Sequence, residues 1–455
     1  MSRALRWPVL AVPVLCAGLV LLAGILWGAS RALTPTAAER AALDLLQAPV
    51  AVSGSNAFAR MWLIEYEVPE AELESVAATD AARMRAALAA ASGELAPELP
   101  THSSALGRYP RIEAVAGDIA LCKLREDDCL AHVRTHRAAL AQRLAREAAL
   151  LARVRSLAGH GHYRSAFPAA THTPLPPFQW LALSHTQAAL DFIDGRHAAA
   201  LHAVCRDVTT WRRLASHSDS LVLAMVGVAA IDADARLFAQ MLAELPLDAP
   251  LPETCAGAFD PAASRPDLCM AMRGEAAGVF ALYERMAQVP RRVSERLVQG
   301  AVFDAQRSKA RYALAVAPVC SAALRAQLAD DTPLAPPPGR GRADLGCMGN
   351  WAGCTLADVA APEPLRYLAR VQDAQAMLAT IDTLLWLRGE RAADGMRPEA
   401  LRHWLDARGP RRATRLDPAG RRIGFVLRDT SKAWSVPLPA SRLAAAGSAA
   451  GSLAD

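Results

Sequence analysis

QAALDFIDGRHAAALHAVC, from Gln187 to Cys205, is the stretch that decides the fold class. Two runs rich in alanine and leucine flank Gly195, a residue free to adopt the turn that joins two helices. Alanine and leucine are strong helix formers, so the stretch reads as a helical hairpin. The same pattern extends outward, and residues Gln179 to Leu245 read as successive hairpins. Across the chain the hydrophobic fraction is 53% but the aromatic fraction only 5%. Much of that apolar content is alanine, so the expected core is wide and built of small side chains. The expected class is therefore all-α, made of helical hairpins for which a solenoid-like stack is one open arrangement.

In spacing, the hairpin around Gly195 is similar to a tetratricopeptide helix pair. The similarity covers this one hairpin and no regular repeat follows, so it implies paired helices and nothing about a ligand. Further helices are expected over Thr36–Gln47, from Asn56 as cap through Tyr66, and over Glu70–Ala91. Asp127 and Asp128 are placed to cap one long helix reaching about Ala158, which Gly159 ends. Helices resume from Asp267 to Ala329. Beyond a Pro/Gly-rich stretch at Thr332–Gly349, Tyr367, Val371, Ala374, Leu378, Ile381 and Leu385 recur by fours and threes as in an amphipathic helix. One β signal stands out. A turn at Asp417–Gly420 precedes Arg422–Leu427, and a second turn near Asp429–Lys432 leads to Ala433–Val436, which makes a small C-terminal β-hairpin.

The expected organisation is an anchor or signal over residues 1–30, a short helix and linker over 31–55, and a helical domain over 56–330. A Pro/Gly-rich linker with a cysteine pair follows over 331–360, then a helix plus β-hairpin module over 361–437 and a disordered tail over 438–455.

Trp7 to Ser30 carries no charge and follows Arg3 and Arg6. As a helix its 24 residues would span about 36 Å, enough for a hydrocarbon core about 30 Å thick. This predicts a single N-terminal transmembrane helix. The competing reading is a secretory signal, because Pro8 and Pro13 shorten the uninterrupted run to Val14–Trp27 and Gly28-Ala29-Ser30 supplies small residues for cleavage. Leu15 before Cys16 argues against a lipoprotein. Arg3 and Arg6 favour an inside N-terminus, while Arg31 and Arg40 flank the other end.

Eight of the nine cysteines lie beyond that segment, an even set that suits an oxidising compartment. Cys122 and Cys129, like Cys347 and Cys354, are seven positions apart. On one unbroken helix that spacing is roughly 10 Å, too long for a disulfide, so each pair needs a turn between its members. Closure of the loop holding Pro261 and Pro266 predicts Cys255–Cys269, and elimination leaves Cys205–Cys320. No Cys-x-x-Cys is present, which argues against a thioredoxin-like redox role.

Three side-chain groupings merit chemical scrutiny. Cys129, His132 and His136 share one helix face at metal-ligand spacing, but HVRTH lacks a metalloprotease glutamate. His160, His162 and His172 lie in a loop near Tyr163 and Arg164. Arg273 and Glu275 interrupt an apolar helix and form either a bracing ion pair or a general acid. No nucleophile elbow, phosphate loop or dinucleotide fingerprint appears, so no catalytic, cofactor-binding or metal residue is assigned. Basic residues are nearly all arginine, the only lysines being Lys123, Lys309 and Lys432. Between Arg388 and Asp429 eleven arginines face six acidic residues, an excess equal to the net +5 of the chain. That segment is either a paired, solvated surface or a contact for anionic lipid. The compartment and the scarcity of interleaved aromatics exclude nucleic acid.

The sequence thus leads to a single-pass bacterial inner-membrane protein with a disulfide-braced helical periplasmic domain, binding another envelope protein as scaffold or assembly factor. Tethered steric foldases of secreted lipases resemble it in layout of anchor, spacer and Ala/Arg-rich helices. Their Phe-Asp-Tyr motif has its nearest string at Phe303-Asp304-Ala305, which departs at Ala305. The alternative is a cell-envelope hydrolase using Glu275 or the His160/His162 loop. A third reading is a structural protein whose module at Ala361–Asp455 meets lipid headgroups.

Overall fold

Single side chains set several helix starts. Thr36 Oγ1 accepts from Glu39 N at 3.2 Å while Glu39 Oε2 accepts from Thr36 N at 2.8 Å, a reciprocal capping box. Asp128, Ser220, Asp304 and Ser321 cap their helices in the simpler one-way manner. The structure is a computed structural model. It describes residues 6–91, 94, 97–112, 118–124, 128–170, 172–263, 267–289, 292–334, 344–361, 364–389, 412, 414–417 and 421–439, with side chains from residue 14. Most of the basic segment, the 335–343 stretch of the linker, Asp127 and the tail from residue 440 lie outside the described residues.

In chain order the helices are α1 (Arg6–Ala32), α2 (Ala37–Gln47), α3 (Phe58–Trp62), α4 (Leu73–Ala90), α5 (Cys129–Thr135), α6 (Arg137–Arg146), α7 (Ala148–Ser156), α8 (Ala182–Ile193), α9 (His197–Ser216) and α10 (Leu221–Glu244). They continue with α11 (Cys269–Gln288), α12 (Val293–Val302), α13 (Ala305–Val316), α14 (Ala322–Ala329), α15 (Leu345–Met348), α16 (Trp351–Ala360) and α17 (Pro364–Gly389). The mostly helical class is as expected. Gly195 turns between α8 and α9 at φ +81°, a conformation in which a Cβ would be strained. On the next hairpin a Cβ added at Gly227 would stand 2.8 Å from Ala215 Cβ, which is how closely α9 and α10 approach.

Three features depart from the sequence reading. The helix expected from Asp128 to Ala158 is broken at His136 and Glu147 into α5, α6 and α7. All three pack on α8, and a straight rod could not follow it. The helix capped by Asn56 stops at Trp62 rather than Tyr66. Asn56 is shared, accepting from Phe58 N at 3.1 Å and donating to the Arg164 carbonyl at 2.8 Å, and Glu67 N then pairs with Pro110 O. The C-terminal hairpin gains a third strand: β1 (Arg415–Leu416), β2 (Arg422–Val426) and β3 (Ala433–Pro437) form an antiparallel sheet in that order, with Phe425 opposite Trp434. Asp417 Oδ1 accepts from Arg421 N and Arg422 N at 2.5 and 2.8 Å and so fixes the first turn.

The buried apolar side chains form one contiguous core from Ala42 to Leu438. Helix α10 is its axis, with α9 on one side, α17 on another and β3 across its middle. Trp434 is fully buried, donates to Asp232 at 2.7 Å and carries Arg236 over its ring. The expected period of α17 is realised, since Val371, Ala374, Leu378 and Ile381 are all fully buried.

Four disulfides brace this body. Cys122–Cys129 and Cys347–Cys354 form as expected, with Cα separations of 5.5 and 5.8 Å and a turn inside each loop. The other two expectations are corrected: Cys205 bonds Cys255, and Cys269 bonds Cys320. The 256–268 loop does not close on itself because its two ends belong to different layers. Arg212 of α9 donates to Ala258 O and Asp260 O at 2.5 and 2.6 Å, holding the Cys255 end against α9. Cys269 opens α11, which packs on α13 and the 3-10 turn carrying Cys320.

Within α1, Val14–Ala32 is long and apolar enough to cross a membrane, and that stretch is 6% buried. An apolar N-terminal helix, signal or anchor, together with four disulfides points to an extracytoplasmic location.

Candidate functional site

Two of the three groupings singled out in the sequence converge on one feature, the strap formed by residues 48–55 between α2 and α3. Arg273 of α11 donates to Ala48 O at 2.9 Å, and Arg164 to Val50 O at 2.8 Å. His162 Nδ1 meets Ser53 O at 3.2 Å, and Gly161 N donates to Ser55 O at 2.9 Å. A Cβ at Gly161 would overlap the Ser53 carbonyl, so the approach requires glycine. His160 turns to Ser156 O of its own helix, and burial lowers its pKa. His172 does not join them; it lines a separate recess with Leu88, Leu99 and Arg285.

Beneath the strap sits Asp219, a carboxylate that sequence reasoning missed. In Ser218-Asp219-Ser220 it reads as one of several cap residues, and Ser220 is the one that caps α10. Asp219 accepts from Ser165 N at 3.1 Å on both oxygens. Burial pushes its pKa up to about 6 against the pull of that bond and of Arg164, and the Glu275 charge adds to the rise. Burial also raises Glu275, opposed by a hydrogen bond from the α10 backbone at Leu221. The chain therefore holds two neighbouring carboxylates that take up protons above the ordinary range. Both are committed to backbone N–H groups, and Gly274 packs on the Asp219 carbonyl so tightly that a Cβ there would overlap it. The arrangement latches the 160–165 loop, α10 and α11 together.

The Cys129, His132 and His136 side chains, weighed as a metal face and not assigned as one, are engaged elsewhere. Cys129 is bonded to Cys122, and His132 Nε2 lies 2.8 Å from Ala120 O, with the His136 ring 5.0 Å away. Another polar cluster lies inside the α8–α10 core. His185 Nδ1 meets Asp234 Oδ1 at 2.9 Å, and Ser184 donates to Asp207. Burial raises both carboxylates, and all four side chains are inaccessible. Among the described arginines of the basic segment, Arg388, Arg412, Arg422 and Arg428 are bonded within the fold. Arg388 donates to Pro246 O and Ala249 O at 2.7 Å, and Arg412 and Arg428 both bond Asp331.

An open groove of about 470 Å³ is lined by Leu121, Lys123, Leu124, Arg143, Phe178, Gln179 and Trp180. Its walls are fixed from below. The Cys122–Cys129 bridge shapes one wall, and Cys122 N donates to Thr186 Oγ1 of α8 at 3.0 Å. Arg143 holds Ile119 O at 2.6 Å and Glu147 at 3.1 Å. On the other wall Trp180 donates to Glu65 at 2.6 Å, and Glu65 is paired in turn with Arg111. A preformed, largely apolar cleft of this kind receives an apolar side chain or short segment without reorganising. Neither Asp219 nor Glu275 lines it. The chain matches no protein family, no curated protein and no solved structure.

Proposed function

We propose that the protein is a single-pass bacterial inner-membrane protein whose helical periplasmic domain binds another envelope protein, as a scaffold or assembly factor. The observation that carries the anchored reading is how α1 ends. Ser30, in the sequence that would serve a signal peptidase, is fully buried and bonded to Gly349 N at 2.7 Å, and Arg31 donates to Gly349 O at 3.2 Å. Cleavage there would remove part of the folded body. Intact-mass measurement on protein extracted from membranes tests this: a species retaining residues 1–30 is expected, and one starting near Ser30 overturns it.

The rigid groove supports the binding reading. Its apolar walls suit an apolar segment of a partner. A photo-crosslinking residue at Leu124 or Phe178 should trap one dominant envelope protein in cells, and the same residue at the exposed Val222 should not. Equal background from all three positions removes the groove as the binding site.

The hydrolase alternative rests on Asp219 and Glu275, whose raised pKa values suit a general acid. Glu275→Gln, Asp219→Asn and the His160/His162 double alanine variant separate the readings. Loss of function with the fold intact favours catalysis, and indifference to all three favours binding.

A further inference from the structure

Helix α12 leaves an apolar stripe uncovered. At about 100° per residue, Val293, Leu297, Ala301, Val298 and Val302 fall on one half of its surface, and Glu295, Arg296 and Gln299 on the other. An ordinary surface helix turns its apolar half to the core. Here one polar side chain reaches the body, Gln299 donating to Met286 O at the end of α11 at 2.6 Å. Val293, Leu297 and Val298 of the apolar half are 70, 71 and 65% exposed. Glu295 and Arg296 opposite them are exposed too, while Ala301 and Val302 at its end are half-buried. Nearby, α16 turns Cys354 and Ala357 inward, yet it and α15 also leave large apolar side chains uncovered. Leu345 and Met348 are exposed, and Trp351 and Val359 are 65 and 79% exposed.

The end of α12 and the α15–α16 turn meet the exit of α1. Trp27 Nε1 donates to Ala301 O of α12 at 2.9 Å, and Ser30 and Arg31 are seated on Gly346 and Gly349 at the α15–α16 turn. Trp7 and Trp27 stand twenty residues apart on α1. That interval is about 30 Å of helix, the thickness of a hydrocarbon core, and tryptophan is the residue that favours its two boundaries. Trp27 then marks the outer boundary, and α12 lies at the same height. Arg292 at the start of α12 is exposed and supplies a cation of the kind that accompanies an apolar face lying in a headgroup layer.

We infer that α12 and the α15–α16 corner form a membrane-embedding foot: their exposed apolar side chains sit in the outer-side headgroup and acyl boundary next to α1, and fix the domain's orientation on the bilayer. The inference rests on α1 being retained as a membrane span. It differs in place from the lipid contact expected for the C-terminal basic module, of which Arg388, Arg412, Arg422 and Arg428 are bonded within the fold.

The test uses the full-length protein in vesicles of phosphatidylethanolamine and phosphatidylglycerol that contain a phospholipid with a photoactivatable acyl chain. Adducts are mapped by mass spectrometry. Adducts on α1, on Val293–Val302 and on Trp351–Val359 are expected. Adducts on α1 alone would overturn the foot while leaving the anchor standing, and would assign the face to a protein instead. Adducts on neither would overturn both. The double variant Leu297→Glu/Val298→Glu changes only exposed side chains. It should reduce α12 adducts about tenfold or more with α1 labelling unchanged, and an unchanged α12 yield would overturn the foot.

Discussion

The two short disulfide loops and the two long ones divide the labour of holding this chain together. Cys122–Cys129 and Cys347–Cys354 each close seven positions, and each lies under a surface to which a contact is assigned. The first shapes a wall of the groove; the second shapes the corner on which Ser30 and Arg31 are seated. Cys205–Cys255 and Cys269–Cys320 close 50 and 51 positions and lie between layers, one tying α9 to the loop behind it and the other tying α11 to the end of α13. Long loops remove more disorder from the unfolded chain than short ones. The contrast teaches that stability and surface shape are assigned to different cross-links, so they should come apart under mutation.

The largest effect falls on a long bridge. Cys205→Ala/Cys255→Ala should cost about 4 kcal/mol in guanidinium unfolding, from the loop-closure entropy of some 50 residues. Groove crosslinking at Leu124 should persist under conditions where the variant stays folded. A loss of only about 1 kcal/mol would mean that the Arg212 bonds already hold the loop without the bridge.

A non-covalent tie of similar reach responds to pH where a disulfide does not. Asp219 joins the 160–165 loop to the start of α10, with Arg164 and Glu275 the charged groups acting on it. Its folded pKa of about 6 lies above the unfolded value near 3.9, so the native state holds the proton more tightly. Its contribution is full below about pH 4 and is lost as pH rises through about 6, with a ceiling of about 3 kcal/mol. Stability should fall across that window, and Asp219→Asn should flatten the fall. An identical slope in the variant would show that Asp219 is not the group responsible.

The same contrast governs what could be read from sequence. Seven-residue spacing forbids closure on a straight helix, so Cys122–Cys129 and Cys347–Cys354 were legible from local geometry alone. Cys255 and Cys269 also look local, yet helix packing sends them apart, and no rule of spacing reports which layer a helix will join. The period of α17, the Gly195 turn and the Thr36 cap were legible because propensity and capping act within a few residues. The breaks at His136 and Glu147 were not, because α8 imposes them from outside. Arg273/Glu275 and His160/His162 were legible as polar islands in apolar or loop sequence. That Arg273 and His162 meet at the 48–55 strap depends on contacts more than a hundred residues apart, while Glu275 and His160 turn elsewhere.

Breaking a short bridge should have the reverse profile. Cys122→Ala/Cys129→Ala closes so few residues that it should cost about 2.5 kcal/mol at most. Its groove wall would no longer be held, so crosslinking from Leu124 should fall further than in the long-bridge variant, measured at equal folded fraction. Retained crosslinking would show that Thr186 and Arg143 suffice to hold the wall.

The smallest effect belongs to Cys347→Ala/Cys354→Ala, although its loop has the same length. Cys347 is only half-buried, and its turn is held independently by other bonds. Gly346 N donates to Asp344 Oδ1 at 2.8 Å, and Asp304 N donates to Asn350 Oδ1 at 2.7 Å. Asn350 Nδ2 donates to Ser308 Oγ at 3.2 Å, and Asn350 is itself buried. The unfolded-chain contribution has the same ceiling of about 2.5 kcal/mol as for Cys122–Cys129. With those bonds holding the folded corner, no native-state relaxation adds to the change, and the smaller loss of the two is expected in the same denaturant assay. Lipid adducts on Trp351–Val359 should be unchanged. A loss larger than that of the Cys122–Cys129 variant would break the division between bridges that shape surfaces and bridges that hold layers, because it would make the seat of α1 a stability element in its own right.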